Sequence, residues 1–521
     1  MHPRTTSRRG STPAPRAALR AALAGALLAL PMLPAVAAPG SAGAALQPCR
    51  IAGVPNEVLC GQLQRPLDPA RPQATQIQLR YVVIPALARN KKPDPVLMLA
   101  GGPGQSAVAL AGHVLQQFSR LNNRRDLVLV DQRGTGESAP LQCDENPRLP
   151  LSEAMNPERQ LQRLAQCRDA LQKLPHGDLR QYSTPIAMQD MDAVRQALGV
   201  AQWNVVGASY GTRAALEYLR QFPQQVRRVV IDGVAPPDMA LPQAFSTDGQ
   251  AALDAVLDAC AQDSACHARF PALRGEWQAL LAGLPRRVSV THAVSGETES
   301  FELTRAGLLR AVRPALYAPA LASALPAAIH AAHQGRLEGL LSLAAQLGGG
   351  SRARAMRLAM GMHFSVVCAE DLPLIALSKD PAGRDFGTVD GEFYGAVCRD
   401  WPRASLPGAF YQVPPSRSPV LVLSGGADPA TPPRHGERIA KALGAQARHL
   451  VVPQAGHGVM GLGCMRDLLY RFIDAETAPD QNALQKDAQC ATRMPRPPAF
   501  LPPLRLQAAP AATASDLGET R

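Results

Sequence analysis

"WNVVGASYGTRAALEYL" (residues 203–219) decides how this chain folds. An apolar run ends in Gly207-Ala208-Ser209-Tyr210-Gly211, and a helix-forming segment follows at once. Such a join is a sharp strand-to-helix turn. Its glycines answer to strain and to close packing on both sides. In an open α/β sheet, ligands bind at the carboxyl ends of the strands, so Ser209 is pushed out into a site. The N-terminus of the next helix adds donors and a partial positive charge. The pattern is that of a nucleophile elbow. A G-x-S-x-G is weak evidence alone; the strand before it and the helix after it give it weight.

The flanks repeat the same grammar. Short apolar runs with turn signals behind them are "QIQLRYVVIP" (76–85), "PVLMLAGGPG" (95–104), "DLVLVDQRG" (126–134), "RRVVIDGV" (227–234), "PVLVLSGGAD" (419–428) and "RHLVVPQAGHG" (448–458). Their length and Val/Leu/Ile content fit strands buried on both faces. Helix-patterned segments such as 185–199 and 435–445 lie between them. The alternation predicts an α/β fold, a mostly parallel sheet with helices on both faces. It stops over residues 236–418, which read as a largely helical cap or lid, with a possible hairpin in "THAVSGETESFELT" (291–304). The core is then residues 39–235 and 419–494. Residues 495–521, rich in Pro and Ala, read as a loose surface tail.

Residues 1–38 read as a secretory signal peptide. Five arginines precede an apolar run (21–38) that is broken by Pro31 and Pro34 and ends in an Ala35-x-Ala37 site. Removing it lowers the formal charge from +12 to about +7, since those arginines face no acid. No later segment reads as a membrane span, so no stable anchor is expected once the leader is gone. The remaining basic residues are scattered, without a Lys/Arg cluster among aromatics, so nucleic-acid binding has no specific support. Ten cysteines in an exported chain predict disulfides. Spacing suggests Cys49 with Cys60, Cys143 with Cys167, Cys260 with Cys266, Cys368 with Cys398, and Cys464 with Cys490. A zinc site is weakly supported, because Cys266-His267 has no partner set at ligand spacing. The location is periplasmic or extracellular, and the oligomeric state is not readable.

A serine hydroxyl needs a base. In this kind of sheet the order is Ser, then acid, then His. His457, in "QAGHG" after the last strand, is the candidate base; His449, at the start of that strand, reads as a surface residue. Asp428, after the preceding strand, is the candidate acid, with Asp232 as the alternative. A developing oxyanion needs donors. The Tyr210 N–H is one, and Gly102 in "AGGPGQS" is the other, since Pro103 has no N–H.

"GGPGQS", "VDQRGTGES", "GASYGT", "IDGVAPP", "GADPATP" and "GHG" stand in the order found in α/β-hydrolase peptidases of the prolyl aminopeptidase type, which the chain resembles from about residue 49 to 490. "LCGQLQRPLDPA" (59–70), together with Cys464 and Cys490, is similar to the secreted tripeptidyl aminopeptidase branch. The resemblance implies a serine exopeptidase acting near peptide N-termini, with peptides as substrates and no metal or organic cofactor. Ser209, Asp428 and His457 carry over as its triad, and Gly102 and Tyr210 as its oxyanion donors. Asp131, Gln132 and Arg133 match the family's D-Q-R-G turn, read as support for the oxyanion loop. Ala100 departs from the family's frequent histidine. Glu370 and Asp371, in "VVCAEDLP", are candidates for binding a substrate ammonium, and would equally suit a solvated acidic turn. The rival activity is that of a carboxylesterase or another small acyl hydrolase, since fold and triad do not separate the two.

Overall fold

The computed structural model describes residues 46–143, 149–292, 295–343 and 357–503. The expected signal peptide and residues 504–521 lie outside them. The apolar runs form the strands β1 (Gln47–Cys49), β2 (Val58–Pro66), β3 (Gln76–Ile84), β4 (Val96–Leu99), β5 (Leu127–Val130), β6 (Trp203–Ala208) and β7 (Val226–Asp232). A hairpin of β8 (Arg286–Thr291) and β9 (Thr298–Leu303) stands apart, and β10 (Val420–Gly425) and β11 (Ala447–Val452) follow. Nine of them make one sheet in the order β1-β2-β3-β5-β4-β6-β7-β10-β11 among the described residues. From β5 to β11 across the sheet, neighbours are parallel; β1, β2 and β3 are added antiparallel. The central strands β4, β5 and β10 are buried along their whole length, as a sheet covered on both faces requires.

The register sets the site. Leu99 pairs with Gly207, and Ala208 with Asp232. The carboxyl ends of β4, β6 and β7 therefore lie side by side, which is where such sheets bind ligands.

Between β7 and β10 the chain leaves the sheet. It forms the helices Leu241–Gln262, Arg305–Leu316, Met360–Glu370 and Val389–Arg399, with the β8–β9 hairpin among them. The first two, with the hairpin, pack round a core of their own that includes Leu253, Leu303 and Val312, whereas Met360–Glu370 and Val389–Arg399 join the sheet's core through Met362, Phe364, Val366 and Val397. Polar contacts tie this layer to the helix after β10: Arg434 forms ion pairs with Asp248 and Asp380, and His435 Nε2 lies 2.8 Å from Asp248 Oδ2. The five disulfides join the five pairs that spacing suggested.

One expectation needs correction. The start of the tail is not loose: Arg496 donates to the Ala255 carbonyl at 3.1 Å, and the Phe500 N–H to Ser323 O at 2.8 Å, so residues 495–503 strap the cap layer. By length and composition alone Met360–Leu377, with a mean hydropathy of 1.3, could cross a membrane; 61% of it is buried within the fold, where it divides into the helix Met360–Glu370 and a 3-10 helix, Leu372–Leu377.

Candidate active site

Ser209 stands at φ +56° and ψ −124°, between β6 and the helix Tyr210–Gln221. That conformation is costly for a residue with a Cβ. Packing imposes it. A Cβ on Gly207 would sit 2.2 Å from Gly211 O, and one on Gly211 2.2 Å from Leu99 O, so the turn closes only with glycine at both places. The hydroxyl is half-buried at the sheet's end, and the Ser209 N–H donates to Asp232 O at 2.9 Å.

The loop after β4 lies against this elbow. A Cβ on Gly101 would be 3.2 Å from Ser209 Cβ, and Gly102 holds φ +110°. Asp131 braces the loop from the sheet side. It accepts from Ser106 Oγ at 2.6 Å and from the Val108 and Glu137 N–H groups. Gln132 donates to the Tyr210 hydroxyl at 3.0 Å. Arg133, fully buried, donates from Nε and Nη2 to Asp190, from Nη1 to the Leu67 and Gln181 carbonyls, and from Nη2 also to the Pro66 carbonyl.

His457 meets Asp428 across the loops after β10 and β11. Its Nδ1 is 2.8 Å from Asp428 Oδ2 and 3.1 Å from Thr431 Oγ1. Thr431 also donates its hydroxyl to Asp428 Oδ2 at 2.8 Å. The other carboxylate oxygen accepts the N–H groups of Ala430 and Thr431. Burial disfavours the Asp428 charge, but His457 and these donors outweigh it and hold the carboxyl below its usual range. For His457, burial opposes the imidazolium; the charge and hydrogen bond of Asp428 prevail and raise its pKa. The ring packs edge-on against Tyr317, at 5.1 Å between centroids, and the Tyr317 carbonyl takes the His457 N–H. Gly233 joins the two halves. It directly follows Asp232, the acceptor of the Ser209 N–H, and its position lies 3.3 Å from His457 Cε1 when a Cβ is added.

Asp232 is not the imidazole's partner. Its Oδ2 accepts the Val459 and Met460 N–H groups at 2.7 and 2.8 Å, and Oδ1 is buried without a partner. Burial pushes its carboxyl up to about 6. His449 is no surface residue either. It is half-buried, with Nε2 3.0 Å from Ser424 Oγ on the neighbouring strand.

The expected ammonium trap is corrected as well. Glu370 and Asp371 are 0% and 1% exposed, and both are spent on Arg213 of the helix after Ser209. Asp371 takes both guanidinium nitrogens at 2.8 and 2.9 Å. Glu370 also accepts the Thr184 N–H at 2.7 Å, and burial lifts its carboxyl to about 7 despite Arg213. Arg213 escaped sequence reading although it lies four residues after Ser209, one turn along the same helix. Thr431 was missed too, although Asp-x-x-Thr is a spacing at which side chain and turn backbone bond to each other. Tyr317 carries no sequence signal.

A family model of the alpha/beta hydrolase fold matches residues 94–267, and a model of TAP-like proteins matches residues 388–490. The chain has the α/β-hydrolase fold. The serine protease Hip1 of Mycobacterium tuberculosis is 25% identical to this hydrolase over 485 residues, 84% of this chain and 89% of the relative. The tripeptidyl aminopeptidase of Streptomyces lividans is 31% identical over 202 residues, 35% of this chain and 36% of that one. A protein named carboxylesterase B, also of Mycobacterium tuberculosis, is 28% identical over 416 residues, covering 74% and 78%. The hydrolase is accordingly an enzyme of the serine hydrolase class.

Proposed function

We propose that this hydrolase is an exported serine exopeptidase that cleaves peptide bonds near peptide N-termini through an acyl-enzyme. The observation that carries the reading is a strained Ser209 at the carboxyl end of β6 and a His457–Asp428 couple on the loops after β10 and β11, with Gly233 between them. In this reading His457 takes the Ser209 proton as the hydroxyl attacks the scissile carbonyl. Asp428 and Thr431 hold the Nδ1–H tautomer and stabilise the imidazolium. The Gly102 and Tyr210 N–H groups receive the oxyanion. His457 gives the proton taken from Ser209 to the leaving amine as the C–N bond breaks and the acyl-enzyme ester forms; water, deprotonated by His457, then hydrolyses the ester and restores Ser209. The names of the Hip1 and Streptomyces relatives support a peptidase. The disulfides support export, since such bonds persist in oxidising compartments. The cap between β7 and β10 supports access for chain ends.

The relative named carboxylesterase B favours a second reading, ester hydrolysis at the same serine. One experiment separates them: purified mature protein is offered Pro-, Ala- and Ala-Ala-Pro-anilides with free or blocked N-termini, and a short acyl nitrophenyl ester. Turnover of free but not blocked anilides is expected. Turnover of the ester alone would replace the peptidase reading with the esterase one. Rapid internal cleavage of a folded protein would remove the exopeptidase part.

A further inference from the structure

The oxyanion loop is held from two sides, and only one belongs to the sheet. On the cap side, the Ala359 N–H donates to Gly104 O at 2.8 Å, and Gln105 bridges to Leu358. One turn further on, His363 Nδ1 lies 3.1 Å from the Pro103 carbonyl. A carbonyl only accepts, so Nδ1 carries the proton. The other ring nitrogen is 3.0 Å from the Tyr394 hydroxyl, which donates to it. His363 is 5% exposed, and burial keeps its pKa below the usual imidazole value, so the ring stays neutral in this tautomer.

The helix that carries His363, Met360–Glu370, ends at Glu370 and Asp371, the partners of Arg213. Its 11 residues span about 16 Å at 1.5 Å per residue. One end holds the oxyanion loop and the other the helix that begins at the nucleophile. The Cys368–Cys398 disulfide ties it to the helix Val389–Arg399, which supplies Tyr394. The distance from Gly102 to Ser209 is thus set through the cap as well as through the sheet.

We propose that His363 is a positioning residue for the oxyanion hole: its Nδ1–H, held by Tyr394, anchors the Pro103 carbonyl and so fixes the adjoining Gly102 N–H against Ser209. It touches no reacting atom. The proposal rests on the reading of Gly102 as an oxyanion donor.

The test compares His363→Phe, which keeps a ring and removes the donor, with His363→Asn, whose amide N–H replaces Nδ1–H. Tyr394→Phe, which removes only the hydroxyl, is the second probe should His363→Phe not fold. Each is measured for kcat and KM, and for the Ki of a trifluoromethyl ketone that forms a tetrahedral adduct with the serine. His363→Phe is expected to lower kcat/KM between about 10- and 100-fold and to weaken the ketone by the same factor, with KM little changed. Tyr394→Phe should do the same more mildly, and His363→Asn should retain most of the activity. Unchanged ketone affinity in the impaired variants, or equal loss in His363→Phe and His363→Asn, would make His363 a packing residue and overturn the proposal. A fluorophosphonate label that misses Ser209 in the native enzyme would instead remove the catalytic reading beneath it.

Discussion

Ser209 holds a backbone conformation that costs roughly 1–3 kcal/mol. That cost separates two replacements. Ser209→Ala should abolish turnover, by about 10⁴-fold or more, with stability near native. Ser209→Gly should be equally inactive yet more stable than Ser209→Ala by about 1 kcal/mol in denaturant unfolding, because glycine has no Cβ to strain. Around the imidazole, Asp428 outweighs burial, so the acid limb of kcat/KM should lie above the usual histidine range, activity rising as His457 loses its proton. Thr431→Val removes the hydroxyl shared by Asp428 and His457. It should lower kcat/KM about tenfold with little change in KM, and a pH–rate series would read both effects. Asp232 behaves oppositely to Asp428. Its folded pKa of about 6 lies above the value of 3.8 expected for it unfolded, so its contribution to stability is full below that lower value and lost as pH rises through about 6. Asp232→Asn should lack this loss, and the stability gap between variant and native protein should shift in the variant's favour by about 3 kcal/mol between pH 3 and 8.

At the scale of elements, the sheet was legible because its strands are short apolar runs, buried on both faces, each ending in a turn with few alternatives. The elbow, the proposed acid and the proposed base all sit at those ends, so their positions followed from strand order. Reading failed where a partner is distant in sequence. Glu370 and Asp371 looked like a solvated or substrate-facing pair because the residue that neutralises them, Arg213, is 157 and 158 positions away. No periodicity reports such a contact. The consequence is measurable: Asp371→Ala leaves a buried guanidinium short of its main partner and should destabilise the fold by about 3–5 kcal/mol. A thermal melt showing no change would mean that water reaches Arg213. The hairpin was also only partly readable. Its first strand runs from Arg286 to Thr291, ahead of the expected stretch, because Val288 and Val290 face the cap's core while Arg287, Ser289 and Thr291 alternate with them and face outward.

Over the whole molecule, five disulfides staple the fold: one ties β1 to β2 beside their ladder, and the others hold the loop after β5, the cap helices and the segment after His457. The bridge between Cys368 and Cys398 closes 30 residues, and such a loop is worth about 3–4 kcal/mol through the unfolded chain. Protein made under reducing conditions should therefore melt lower than oxidised protein, and the Cys368→Ala/Cys398→Ala double variant should account for a large share of the difference. Equal melting of the two preparations would show the bridges to be dispensable. The helix Met360–Glu370 carries a consequence for engineering. It is cap by chain order and hydrolytic machinery by contact, so substrate preference cannot be exchanged by grafting a foreign cap between β7 and β10. A donor segment would have to bring its own equivalents of His363 and Asp371, and a chimaera lacking them should be slow on every substrate rather than selective for a new one.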